Sequence, residues 1–326
     1  VSFVYVAEHG AVLRKQGGEL AVTKEDETLL QVEMAGLVSV VILSTVQVTT
    51  QCLAALLEAG TELAIISSRG RLLGQLTPPL ARNQAIRRAQ FERETDAAWA
   101  LEQARAVVIA KLGNQRQVLA RFSAEETGSF PTVKEAIARL DDAAGRAGAA
   151  PDAASLLGYE GSGAAAYWAA FPTLLKAPGI EFPGRRARPA TDPVNAALSF
   201  GYVLLTNMMT SLLDAYGLDP FMGFMHTETY GTPALALDLV EPFRAPVVDR
   251  MVVRLFNLRM LDPEDFAPEG EEPGLRMSED AVRLYFREWE RQLGRLSVRE
   301  AIKAQAEGLA RALRGDAPVV QPWSWP

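Results

Sequence analysis

The chain of 326 residues has one cysteine, Cys52, and two histidines, His9 and His226. A single thiol excludes an intrachain disulfide and any cysteine-ligated zinc or iron–sulfur centre. Cys52 sits among Leu53, Ala54 and Leu56, which reads as core and not as a nucleophile. Long hydrophobic runs are missing too. Apolar stretches such as Leu37 to Leu43 and Ala234 to Leu237 fall far short of the about 20 residues that cross a bilayer. The N-terminus lacks the basic-then-apolar pattern of a secretion signal, so the cytoplasm is the default expectation. There is no solenoid repeat, heptad, phosphate-cradling glycine loop or dinucleotide fingerprint. What is present is the usage of a packed protein, 48% hydrophobic and 22% charged, with room for two or three domains.

A net charge of −7 argues at first against a polyanionic partner, because binding nucleic acid means neutralising phosphates with Lys and Arg. The charge is unevenly spread. Residues 82–121 hold eight basic groups, among them Arg82, Arg87, Arg88 and Lys111, against four acidic ones. A second basic knot, Arg185, Arg186 and Arg188, lies in a Pro/Gly-rich loop. Each patch by itself reads as a solvated face ahead of a DNA groove.

Two periodicities divide the chain. From Val1 to about Leu76 the runs are short, β-branched and broken by Glu8-His9-Gly10 and Gly17-Gly18, which predicts hairpins, with His9 a turn residue. Val38 to Leu43 and Leu63 to Ser67 read as strands, and Thr49-Thr50 opens a short helix that stops at Gly60. Thr77-Pro78-Pro79 breaks the pattern, since proline removes a backbone donor and restricts its predecessor. Beyond it the period becomes 3.6, with Val107, Ala110, Lys111 and Asn114 spaced as a helix face. Helical patterns recur at 132–146, 151–171, 193–216, 233–259 and 278–314. The reading is an α+β chain: a small β-rich, sandwich-like domain over 1–77, a linker at 78–82, a mostly helical domain over 83–315, and a Pro/Trp-rich tail over 316–326. The tail is too rich in proline for regular structure, and its indoles, Trp323 and Trp325, are expected to dock on the body or on a neighbour.

Three regions could carry chemistry. His226 ends Gly223-Phe224-Met225-His226 and precedes a loop, after which Pro233 opens a helix with Thr232 as the expected cap. On that helix Asp238 and Glu241 are three residues apart and share a face among apolar neighbours. A buried carboxylate must be paired, protonated or bound to a cation. Ion pairs to Arg244 or Arg250 are one answer, a metal the other. Pro242 should distort the helix just after Glu241. The third region is Glu160, an acid among glycines, alanines and aromatics from Leu157 to Trp168, which suits a site that something large approaches closely. Two carboxylates and an imidazole form a mixed oxygen and nitrogen set that fits Mg²⁺ or Mn²⁺.

These stretches resemble the CRISPR-associated adaptation integrase/endonuclease family. The likeness runs in order from about residue 3 to 290. It includes Tyr5-Val6 with Gly10-Ala11-Val12-Leu13, Val48-Thr49-Thr50, Arg82-Asn83 with Arg88-Ala89-Gln90-Phe91, and Lys111 with Asn114-Gln115. It continues through Glu160-Gly161, Asn195 with Ser199-Phe200-Gly201-Tyr202, Leu218-Asp219-Pro220 with Gly223-Phe224-Met225-His226, and Asp238-Leu239-Val240-Glu241 with Phe243-Arg244. The resemblance implies a β-rich domain used in dimerisation and partner contact, followed by a helical catalytic domain. It also implies a Mg²⁺ or Mn²⁺ site made of Glu160, His226 and Glu241, with Asp238 as a supporting or alternate ligand.

The implied reaction joins the 3′-hydroxyl ends of a short DNA fragment to repeat boundaries of a CRISPR array by transesterification. Implied partners are double-stranded and branched DNA, a second copy of the chain, and a small ferredoxin-fold CRISPR-associated protein. Arg185, Arg186, Arg188, Arg244, Arg250 and Lys111 are then candidate phosphate contacts, which position DNA without reading it. Two departures stand out. Gly231-Thr232-Pro233 replaces a common Gly-Arg-Pro, removing one phosphate contact, and the chain starts at Val1, as a domain cut from a longer polypeptide would. A metal phosphoesterase for small molecules and a non-catalytic DNA-binding scaffold are the competing readings.

Overall fold

A computed structural model describes residues 2–43, 45–67, 72–77, 84–125, 130–186, 189–225, 231–268 and 274–326. His226, Arg82 and Arg188 therefore lie outside the described residues. The first quarter forms β1 (Ser2–Val6), β2 (Val12–Gln16), β3 (Glu19–Lys24), β4 (Glu27–Glu33), β5 (Leu37–Ile42), β6 (Gln47–Val48), α1 (Thr50–Glu58), β7 (Glu62–Ile66) and β8 (Leu72–Leu76). These strands make two four-stranded sheets, ordered β1-β5-β7-β8 and β4-β3-β2-β6. Thr49 caps α1 by accepting from the Cys52 N–H at 3.3 Å, and Gly60, at φ +82°, ends it as expected. Cys52 is buried.

One expected hairpin is absent. β2 and β3 pair across Gly17-Gly18, but β1 pairs in parallel with β5, and the Glu8-His9-Gly10 turn carries the chain from one sheet to the other. The reason lies in which faces of β1 are covered. Val4 and Val6 join Val40 and Ile42 in the core of the β-rich unit, whereas Phe3 joins Val41 in the core of the helical unit. β1 is the edge strand of its sheet, with β5 as its neighbour, and the cores on both of its faces leave no solvent face of the kind a half-exposed hairpin has. Tyr5, on the helical side, stacks on Phe286 at 4.8 Å and accepts from Trp289 Nε1 at 3.3 Å.

The remainder is helical: α2 (Gln84–Glu94), α3 (Ala97–Glu125), α4 (Pro131–Gly148), α5 (Ala153–Ala170), α6 (Pro193–Tyr216), α7 (Ala234–Phe243) and α8 (Arg250–Asn257). A short antiparallel pair, β9 (Phe266–Pro268) and β10 (Leu275–Met277), precedes α9 (Glu279–Arg295) and α10 (Val298–Arg314). The pattern at 278–314 is two helices, because Ser297 adopts φ +49° and turns the chain between them. The pattern at 233–259 is also interrupted: Arg244–Asp249 form a π-helical turn between α7 and α8. Pro242 and Pro246 lack the N–H groups that regular i→i−4 pairing would need there.

At the centre lies α6. By length and composition it could cross a membrane, but 78% of its most apolar window is buried inside the protein. Asp192 caps it through the Asn195 N–H at 2.9 Å, and Gly217, at φ +78°, closes it. The tail runs without regular structure, and both indoles dock on the body. Trp323 stacks on Phe243 at 4.8 Å and 6°, and Trp325 is buried beneath Arg121, whose guanidinium carbon is 3.9 Å from the ring centre.

Candidate metal centre

Two helices present the carboxylates and a third supplies the cation between them. Asp152 caps α5 through the Ser155 N–H at 2.8 Å, and two turns on the helix carries Glu160. Gly163 allows that helix to pack closely, since a Cβ there would lie 2.4 Å from Leu112 Cδ2 of α3. Glu241 comes from α7. Although far apart in sequence, Glu160 and Glu241 meet at Lys111 of α3, whose Nζ lies 2.5 Å from Glu160 Oε1 and 2.7 Å from Glu241 Oε2. Arg244 takes the other Glu241 oxygen, Oε1, at 2.7 Å. The Glu241 side chain is 2% exposed, so both of its oxygens meet cations within the protein. Burial would lower the Lys111 pKa, but Glu241 and Glu160 outweigh it and hold the ammonium above its ordinary value.

The expected cap of α7 is not used. Pro233, not Thr232, occupies the cap position without a side-chain bond, and the N–H groups of Leu235 and Ala236 reach the Pro220 carbonyl at 2.9 and 3.4 Å. That carbonyl is held in place from α2. Gln90 exchanges two hydrogen bonds with the backbone of Asp219, both at 2.9 Å. Asp238 Oδ2 accepts from the N–H groups of Phe224 and Met225, at 2.7 and 2.9 Å. Asp238 thus fixes the chain up to the residue before His226. Among the described residues no three His, Cys, Asp or Glu side chains gather into one metal site. The third member expected from the sequence is His226.

The other basic candidates separate. Arg185 donates to Asn195 Oδ1 at 2.8 Å and to Ser199 Oγ at 3.2 Å, and its guanidinium lies over Tyr202, 5.1 Å from the ring centre. Arg244 lies over the same ring at 5.1 Å. Tyr202 and Tyr167 both donate to Asp249, the latter at 2.9 Å. Burial pushes the Asp249 carboxyl up to about 6, against the pull of those hydroxyls and of Arg185 and Arg244. Arg186 is exposed and is held through its backbone N–H, which donates to Asn195 Oδ1 at 2.9 Å. Arg250 faces the tail, 5.1 Å from the Trp325 ring centre, and not Glu241.

Sequence reasoning met Asn114, Tyr202 and Asp249 as positions of the resemblance but gave no role to Asp249 with its two tyrosines or to the buried amides Gln103, Asn114 and Gln305. For Lys111 a signal existed. It shares its helix face with Val107 and Asn114, both fully enclosed, so its stem had to point inward.

A buried carboxylate, Glu241, and a partly buried one, Glu160, converge on one cation in a helical body joined to a β-rich unit. The family described as CRISPR associated protein Cas1 matches residues 4–291. The chain belongs to that family. It is 35% identical over 336 residues to "CRISPR-associated endonuclease Cas1 3" of Thermus thermophilus, covering 99% of this chain and 97% of that one. It is 33% identical to "CRISPR-associated endonuclease Cas1 2" of Rhodospirillum rubrum, covering 99% and 98%. Solved structures share the fold. A CAS1 protein from Thermotoga maritima superposes with a TM-score of 0.82 at 22% identity, covering 97% of each chain. A casposase bound to integration product gives 0.79 at 22% identity, covering 97% of this chain and 92% of that one. A chain of a Cas6-RT-Cas1–Cas2 complex gives 0.84 at 24% identity, covering 99% of this chain and 36% of that one.

Proposed function

We propose that this chain is a divalent-metal-dependent DNA integrase and endonuclease of CRISPR adaptation, joining 3′-hydroxyl ends of a short DNA fragment to repeat boundaries by transesterification. The carrying observation is the convergence of Glu160 and Glu241 on a single cationic group. Two carboxylates that already share a cation can hold Mg²⁺ or Mn²⁺, with His226 as the neutral third ligand. Such an ion, when bound, acidifies the attacking hydroxyl and offsets charge growing on the phosphate oxygens.

The protein's own groups do the positioning. Asp238 holds the backbone of Phe224 and Met225, which limits where the following residue can go. Arg244 keeps one Glu241 oxygen occupied, so the second oxygen serves the reacting centre. Arg244, bound to Glu241, and Arg185, over the same Tyr202 ring, bring two positive charges together that can receive phosphate. Tyr202 is itself fixed by Asp249. Arg186, exposed on the same loop as Arg185, adds a backbone-phosphate contact that does not depend on base sequence.

Duplex and branched DNA are the substrates in this reading, and the cytoplasm is the compartment. The similar structures include a casposase bound to integration product and a Cas6-RT-Cas1–Cas2 complex, which supports DNA and a Cas2-like partner for this chain; a ferredoxin fold for that small partner is part of the same reading. A homodimer would align basic strips that are local on one subunit, whose net charge is −7. The test combines the chain, its small partner, a short duplex and a supercoiled repeat-bearing plasmid, with and without a chelator. Joining should require the metal, and Glu160→Gln or Glu241→Gln should abolish it while DNA binding persists. Joining that survives either substitution would refute the assignment.

A further inference from the structure

We propose that Lys111 is the resident counter-cation of this site: its ammonium holds Glu160 and Glu241 until a divalent ion displaces it, and it is then free to meet a phosphate oxygen. The proposal rests on the metal reading given above. Its basis is positional. Lys111 Nζ lies 2.5 Å from one carboxylate and 2.7 Å from the other, so it stands where an ion bridging the two would stand. The second Glu241 oxygen is already taken by Arg244 at 2.7 Å, which leaves Oε2, the oxygen facing Lys111, for a metal.

A divalent ion and an ammonium cannot share that oxygen at contact distance, because like charges a few ångströms apart in a poorly solvated site repel strongly. One must leave. The helix backbone cannot retreat, since one turn further on Asn114 is bound to the Pro242 carbonyl at 2.7 Å and to the Trp325 N–H at 2.9 Å. The side chain can. Lysine is a compact charge on a flexible four-carbon stem, and the Lys111 side chain keeps 13% exposure. An arginine here would grip the carboxylates with a fork and resist exchange, whereas an ammonium binds as a point charge and transfers readily to a phosphate.

The inference predicts competition, which is measurable without catalysis. Mn²⁺ binding to the full chain, free of DNA, is measured by calorimetry or by loss of the free-ion electron paramagnetic resonance signal. Lys111→Met should bind Mn²⁺ at least about tenfold more tightly than wild type, because the competing charge is gone. Lys111→Gln serves as the second neutral variant should the methionine variant fail to fold, and the same gain is expected of it. Mn²⁺ should also raise the melting temperature of either variant more than that of wild type. Equal or weaker Mn²⁺ binding by the neutral variants, with wild-type binding that Glu241→Gln abolishes, overturns the role of Lys111 and leaves the metal reading intact. No Mn²⁺ binding by wild type or variants overturns both.

Discussion

Asn114 donates to the carbonyl of Pro242 at 2.7 Å, an acceptor that a regular helix would pair with the N–H of residue 246, where the chain has Pro246. The side chain of α3 thus replaces a backbone bond that proline removes, one residue beyond Glu241. The same amide donates to the Trp323 carbonyl at 3.0 Å and accepts from the Trp325 N–H at 2.9 Å, so a single residue ties the tail to the metal-site helix. Gln305 acts alike, donating to the Leu239 carbonyl and accepting from the Trp323 N–H at 2.8 Å. Gln292 donates to the Pro246 carbonyl at 2.9 Å. Asn114→Ala leaves two buried backbone groups and one part-buried carbonyl without this partner and should cost about 3 kcal/mol. Urea unfolding checks it, and a loss under about 0.5 kcal/mol, the scale of an ordinary surface substitution, would contradict it.

A second prediction concerns the junction between the β-rich unit and α6. Burial raises the Glu62 carboxyl to about 7, with the Asp214 charge pushing the same way and hydrogen bonds from Ser211 and Gln75 opposing. The folded state therefore binds a proton that the unfolded chain releases near its ordinary value. Stability from this group is full below that ordinary value and is lost as pH rises through about 7. Glu62→Gln should stabilise the fold at pH 8 by on the order of 2–3 kcal/mol, seen as a higher melting temperature, and change little at pH 4.5. Thermal melts of both proteins across that range decide it, and a gain that is larger at the acidic end would reverse the sign.

Gly223 is a third point of leverage. A Cβ there would fall 2.8 Å from Asp238 Oδ2 and 2.9 Å from the Ala234 backbone carbon. Gly223→Ala must push Asp238 off the Phe224 and Met225 N–H groups, which should destabilise the fold by about 1–3 kcal/mol. It should also weaken Mn²⁺ binding, because the chain leading to His226 loses its anchor. Retention of wild-type Mn²⁺ affinity in the folded variant would show that this anchor does not matter to the site.

The fourth prediction separates packing from charge around Arg244. Tyr202→Phe keeps the ring beneath Arg185 and Arg244 but removes the hydroxyl that Asp249 accepts. The Asp249 carboxyl keeps only Tyr167 as a hydroxyl donor, and burial then pushes its pKa above the present value of about 6. Strand joining should fall several-fold with DNA binding preserved, and nuclear magnetic resonance titration should record the upward shift. An unchanged titration would contradict the geometry.

Much of this was readable from the sequence. The β-rich start, the helical remainder and the short helix from Thr49 to Gly60 follow from alternation, caps and glycines, while the expected linker at 78–82 lies outside the described residues. Pairing did not, because parallel β1 and β5 are set by two cores on opposite faces, and nothing local distinguishes that from a hairpin. The helix break at Ser297 escaped because the apolar spacing continues across it, whereas Pro242 already signals the distortion after Glu241 that takes the form of the π-helical turn Arg244–Asp249. In the site, Glu160, Asp238 and Glu241 stood out as acids in apolar or glycine-rich company. Lys111 was counted with the basic strip, although its spacing with Val107 and Asn114 carried the information that it points inward. The amides Gln103, Asn114 and Gln305 gave no local sign, since their partners are carbonyls and tail groups distant in sequence.

The central claim is tested most directly by locating the ion. Crystals grown or soaked with Mn²⁺ should show a single anomalous peak within coordination distance of Glu160 and Glu241, with Lys111 Nζ displaced from between them. An ion bound elsewhere, or carboxylates that stay on Lys111 at saturating Mn²⁺, would contradict it.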